Sequence, residues 1–237
     1  MKRLTIFLSL ALAASAVAQT PSADDILRTA RYVATLQQHD LKGQLRKGST
    51  KIPVMLYLRG ENIQFQYLSP QTKQWAPFHM RLEKDHYDLF EMKGGKTLRF
   101  PGAKLGQPIG GTDLSYEDLA MRFLYWPKGK VEGSEKIKGQ DCWKVRLQNP
   151  GKSGRYALVY VWVHKKAGAL MQAVGYNGGN PAKALKRFQV SDIMKVGDAY
   201  TLRTMRVDSY DPKVDKTIGI TYVEFEKPKA VGPKGLR

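Results

Sequence analysis

The feature that most constrains this chain is a succession of short segments, between residues 41 and 226, in which apolar residues alternate with polar ones. In 62–68, Ile63, Phe65 and Tyr67 share one parity while Asn62, Gln64 and Gln66 share the other. A period of two belongs to a strand with one dry face and one wet face. Phe78, Met80 and Leu82 repeat it against His79, Arg81 and Glu83, and Trp143, Val145 and Leu147 do so within 140–148. Similar segments at about 41–47, 52–59, 86–92, 96–100, 168–176, 185–194, 200–208 and 217–226 bring the count to eleven or twelve, and Gly60-Glu61 reads as a hairpin turn. So many strands do not stay flat in a chain of this length. The expected fold class is mainly β (α+β), a curled antiparallel sheet of about eleven strands covered by helices.

Two stretches carry the helical period instead. Ser22 and Asp25 open the first as a capping box, with Ile26, Leu27, Ala30, Tyr32, Val33 and Leu36 as its apolar positions to about Gln38. The second runs from Gly110 to Pro127: Ser115 and Asp118 mark its start, and Pro127 is expected to stop it. Tyr116, Leu119, Ala120, Phe123 and Trp126 form its apolar face, with Glu117, Asp118, Arg122 and Tyr125 assigned elsewhere. Segment 156–163 is apolar at both parities, so both its faces are covered; it is expected mid-sheet, under this helix.

The run Gly111-Thr112-Asp113-Leu114-Ser115-Tyr116-Glu117-Asp118-Leu119 resembles a segment of the bacterial outer-membrane lipoprotein-sorting proteins, a branch of the LolA/LolB lipoprotein-carrier superfamily. Residues 186–193 and 216–225 look like that family's closing strands, and the resemblance spans about residues 22 to 227. It implies an incomplete β-barrel wrapped around helices, with an apolar cavity for acyl chains.

Residues 1–18 read as a cleaved secretory signal peptide: Lys2-Arg3, an apolar run from Leu4 to Val17, and Ala16-Val17-Ala18 before Gln19. The expected location is the periplasm. One carrier domain then fills 19–227, and 228–237 is a disordered basic tail. The only cysteine, Cys142, cannot form an intrachain disulfide and reads as a small buried filler beside Trp143. Formal charge is +18; without Lys2 and Arg3 it is +16, from 37 basic and 21 acidic residues. Export separates so basic a chain from nucleic acid, leaving an anionic membrane surface or an acidic partner protein as its counterpart.

Signs of catalysis are poor. His39, His79, His86 and His164 have no paired-ligand spacing and read as solvent-facing strand residues. The glycines of 94–111 match no phosphate loop, and Gly151-Lys152-Ser153-Gly154 is a turn rather than a nucleophile elbow. The expectation is a monomeric, non-enzymatic carrier of lipid or lipoprotein acyl chains without cofactor or metal. The alternative is an envelope interaction or sensor module that binds a protein or anionic polymer through its basic face. Candidate cavity and lid residues are Phe65, Tyr67, Leu119, Phe123, Trp126, Trp143, Tyr160 and Trp162. Of the two lid aromatics, Phe123 is expected to serve stability, and Trp126, near the groove mouth, acyl binding.

Overall fold

The computed structural model describes residues 20–151, 154–178 and 183–228. The expected signal peptide and almost all of the basic tail lie outside them. Thirteen antiparallel strands form one sheet among the described residues. They are β1 (Asp40–Lys47), β2 (Thr50–Arg59), β3 (Asn62–Leu68), β4 (Trp75–Leu82), β5 (Tyr87–Lys93), β6 (Lys96–Arg99), β7 (Lys130–Ile137), β8 (Gln140–Gln148), β9 (Leu158–His164), β10 (Leu170–Tyr176), β11 (Ala184–Val196), β12 (Ala199–Asp211) and β13 (Lys216–Phe225). Their order is β6-β5-β4-β3-β2-β1-β13-β12-β11-β10-β9-β8-β7. First and last strands pair in the middle, with Gly43 opposite Phe225 and Leu45 opposite Val223. Two meanders run outward from that seam to the edges β6 and β7, and residues 100–129 bridge the edges.

Thirteen strands replace the expected eleven or so. The strand that alternation missed is β7, whose residues are exposed almost throughout and whose register slips between Val131 and Ser134, around Gly133 at φ 106°. A wet, bulged edge strand has no dry parity to reveal it.

Curling is required by the core. Phe78 of β4 and Val145 of β8, near opposite edges of the sheet, belong to one buried cluster. Helix α1 (Ala23–Thr35) fills part of the interior with Ile26, Leu27 and Ala30, and Ser22 caps it by accepting from the Asp25 amide at 3.1 Å. Tyr32 and Leu36, expected on its apolar face, are instead exposed. Helix α2 (Tyr116–Ala120) is far shorter than the 115–126 helix expected. Met121 adopts a left-handed conformation (φ 45°), which breaks the helix before Arg122–Tyr125 resumes as a 3-10 turn. The stop is thus Met121, six residues ahead of Pro127. Strand β9 is also displaced from its expected place: it is third from one edge and packs against α1.

Candidate functional site

The segment that joins the sheet edges is clasped to the sheet by buried polar groups. Ser115 and Asp118 form the capping box that the sequence signals, the Ser115 amide donating to Asp118 Oδ2 at 2.8 Å. The same carboxylate receives the Tyr156 hydroxyl at 2.6 Å and Lys186 Nζ at 2.5 Å. Lys186 also donates to the Asp113 carbonyl at 2.6 Å. Asp113 accepts from Thr221 Oγ1 at 3.0 Å and pairs with Lys47 at 2.9 Å. Two glycines make the clasp possible: a Cβ on Gly219 would stand 2.3 Å from Asp113 Oδ1, and one on Gly175 would stand 2.4 Å from the Tyr156 ring. Glu117 and Asp118 were assigned away from the buried face, yet both are buried. Glu117 accepts from the Arg155 amide at 3.0 Å. An interior carboxylate is tolerated only when its oxygens are so occupied.

Beneath the clasped segment lies a cavity of about 200 Å³. Its walls are Leu56, Leu58, Ile63, Phe65, Phe78, Met80 and Leu82 from β2 to β4, and Leu202, Met205, Val223 and Phe225 from β12 and β13. Leu119, Ala120, Met121, Leu124 and Tyr125 roof it, so the left-handed break at Met121 sits in the roof. Ala34 and Arg31 of α1 complete the lining, and among the described residues Arg31 is its only charged member. Such a space suits an apolar chain. Among the described residues no group of three or more His, Cys, Asp or Glu is placed to hold a metal ion. A wider cleft of about 760 Å³, with charged and apolar residues both in its lining, lies between the β5–β6 edge and the segment after β8, lined by Arg99, Arg155, Tyr87 and Trp126 among others.

A family model described as "Uncharacterized protein" matches residues 65–230. The fold is similar to a DUF1329 family protein from Desulfovibrio piger, at 16% identity and a TM-score of 0.63 over 89% of this chain and 92% of that one. It is also similar to a putative outer membrane lipoprotein-sorting protein domain from Vibrio parahaemolyticus (14%, TM-score 0.63, covering 91% and 95%). A LolA superfamily protein from Nitrosomonas europaea is similar as well (14%, 0.61, 90% and 96%). The chain belongs to the family that this family model describes, and its fold is LolA-like. No curated protein matches its sequence.

On this LolA-like frame the predicted site residues separate into four places. Phe65 and Leu119 line the cavity. Tyr67, Phe123 and Trp143 belong to or pack on the main core without lining it, and Tyr67 shares a 2.9 Å hydroxyl contact with Tyr116. Trp126 is buried in the core but borders the wider cleft rather than the apolar cavity. Tyr160 and Trp162 are on the other face of β9, in a second cluster with Ile137, Cys142, Leu158 and Val174. Val159, Val161 and Val163 are the inward residues of that strand. Cys142 is fully buried there, and burial pushes its thiol up. His79 is half-buried, and the Nε2 of His39 is enclosed without a hydrogen-bond partner among the described residues, so neither fits the solvent-facing expectation. Sequence reasoning missed Met80, Met205, Leu202 and Arg31 as lining residues, because aromatic residues drew the attention and Arg31 carries no motif.

This placement changes the expected behaviour of the two lid aromatics. Phe123→Ala should cost about 3–5 kcal/mol of stability. Trp126, only 7% exposed, should cost a similar amount on truncation and leave acyl affinity nearly unchanged. Denaturant melts paired with probe titrations check both.

Buried phenols set the alkaline limit of the fold. Burial raises Tyr87 to about 12, and Tyr116, Tyr125 and Tyr156 move in the same direction for the same first cause. Above pH ~10 the unfolded chain releases phenolic protons that the folded chain retains, so stability falls as pH rises from there through about 12. Melting temperature and tyrosinate absorbance, followed together, should show folded protein ionising late and unfolding as it does so.

Proposed function

We propose that this chain is an exported, non-catalytic carrier that binds lipid or lipoprotein acyl chains in the apolar cavity and takes part in sorting lipoproteins to the outer membrane. The observation that carries the reading is the 200 Å³ void, lined by aliphatic, aromatic and thioether side chains under a roof with a backbone break. A module that binds only through its basic exterior has no need of that void. Export rests on the reading of residues 1–18 as a signal peptide, and the periplasmic assignment follows from it. Among the described residues, no helix is long and apolar enough to cross a membrane. The basic surplus would guide the carrier to anionic membrane surfaces or acidic partners.

Magnitudes constrain how capture works. At about 30 Å³ per water-sized group, the void holds roughly seven methylenes, a gross gain of about 5–6 kcal/mol. Micromolar affinity needs about 8 kcal/mol. The remainder must come from widening of the roof at Met121 or from contacts at the mouth. A delipidated sample titrated with a fluorescent fatty-acyl probe should bind at micromolar levels. Failure to bind any acyl probe or lipopeptide would remove the carrier reading.

A further inference from the structure

The charge in the apolar cavity calls for a partner. Arg31 is half-buried on α1 and lines the cavity. Its Nη1 donates to the Leu124 carbonyl at 2.5 Å, and its guanidinium carbon lies 5.0 Å from the Tyr125 ring centroid. Among the described residues, no carboxylate is within ion-pair distance of it. Two of the acids nearby are engaged elsewhere, Glu83 with Arg81 at 2.9 Å and Asp85 with His86 at 2.8 Å. Asp24 and Asp85 attract the guanidinium from a distance, but desolvation is the larger influence and lowers its pKa. An arginine stays charged regardless, and among the described residues the Leu124 carbonyl is the one hydrogen-bond acceptor its guanidinium meets.

Arg31 also stands at a boundary. With Leu82 and Tyr125, it is shared between the apolar cavity and an adjoining groove of about 280 Å³. That groove is otherwise polar, bordered by Arg28, Lys84, Glu61 and Glu83. A chain inserted from the groove, tail first, leaves its head at the guanidinium. The void has room for part of one chain and not for several.

We infer that the cavity takes a single-tailed amphiphile with an anionic head, a fatty carboxylate or an alkyl phosphate, held at the mouth by the Arg31 fork. This rests on the carrier reading and, of its two cargoes, takes the free lipid rather than the lipoprotein. A carboxylate or phosphate can engage the planar guanidinium through two parallel hydrogen bonds, whereas an alcohol offers one oxygen and no charge.

The test is calorimetric titration of the delipidated protein, below micellar concentrations, with laurate, dodecyl phosphate and dodecanol. At least one of the two anions should bind tenfold or more tightly than dodecanol, and the tighter of them identifies the head group. Arg31→Gln should bring the ratio of anion to dodecanol affinity down to about one, whereas loss of a structural contact to Leu124 would weaken all three ligands alike and keep the ratio. Arg31→Lys keeps a point charge without the fork and should retain a smaller preference. If Arg31→Gln does not fold, the wild-type ratio and Arg31→Lys decide. Equal binding of all three ligands, or a ratio unchanged in the variants, overturns the anionic-head inference and leaves the carrier reading standing. Absence of binding by all three removes the carrier reading, and the inference with it.

Discussion

Lys186→Met is expected to destabilise the fold by about 3–5 kcal/mol, the loss typical when one member of a buried ion pair is removed. Its ammonium and the Asp118 carboxylate are 3% and 0% exposed and 2.5 Å apart. Without the lysine, Asp118 retains the Tyr156 hydroxyl and the Ser115 amide but has no countercharge within the clasp. For a domain of this size, the melting temperature should drop by about 6–20 °C. The double variant Lys186→Met with Asp118→Leu removes both charges and should recover part of that loss, less the contribution of the cap, about 1 kcal/mol. Losses under 1 kcal/mol in the single variant would mean that α2 is held by its apolar contacts alone. The clasp also explains how a helix of five residues persists: α2 is too short to be stable by its own hydrogen bonds.

The second large effect is on binding. Leu56→Trp places a larger ring in the void from the β2 wall, where Val54 and Leu58 of the same parity are already buried. With empty space to receive it, the substitution should change stability by no more than about 1 kcal/mol. Acyl-probe affinity should fall at least tenfold, about 1.4 kcal/mol. Tyr160→Ala is the matching control on the opposite face of the sheet: it should cost stability and leave probe binding as it was. If Leu56→Trp bound the probe normally, the chain would have to sit somewhere other than this cavity.

Much of the sheet was legible because its residues declare their faces. Ile63, Phe65 and Tyr67 alternate with glutamines and asparagine, and the segment read as 62–68 is the observed β3. Segment 140–148 is likewise the observed β8. Alternation fails where both parities agree. In β9 every residue from Leu158 to Val163 is buried, so periodicity could not choose the inward face, and preference for the aromatic parity chose the wrong one. Valines face the core, while Tyr160 and Trp162 are sheltered by Lys144, and Trp162 bonds to Glu135 at 2.8 Å.

The clasp shows a different limit. The Ser115–Asp118 box is local, three residues in span, and could be read directly. The partners that bury Asp118 are 38 residues away at Tyr156 and 68 away at Lys186, a distance over which spacing carries no information. Helical periodicity from Tyr116 to Trp126 was real, yet it said nothing of Met121, where a non-glycine residue takes a left-handed conformation. That break turns an expected lid helix into a short anchored helix and a separate 3-10 turn over the cavity.

The central claim is that an acyl chain occupies the space between the strands and the residues that bridge the sheet edges. Photo-crosslinking tests it most directly, using a fatty acid with a diazirine at mid-chain, followed by peptide mapping of the intact protein. The account predicts labels on cavity residues such as Phe65, Met80, Leu119 and Met205, lost in Leu56→Trp. Labels confined to the Tyr160–Trp162 face, or to the wider cleft beside Trp126, would contradict it.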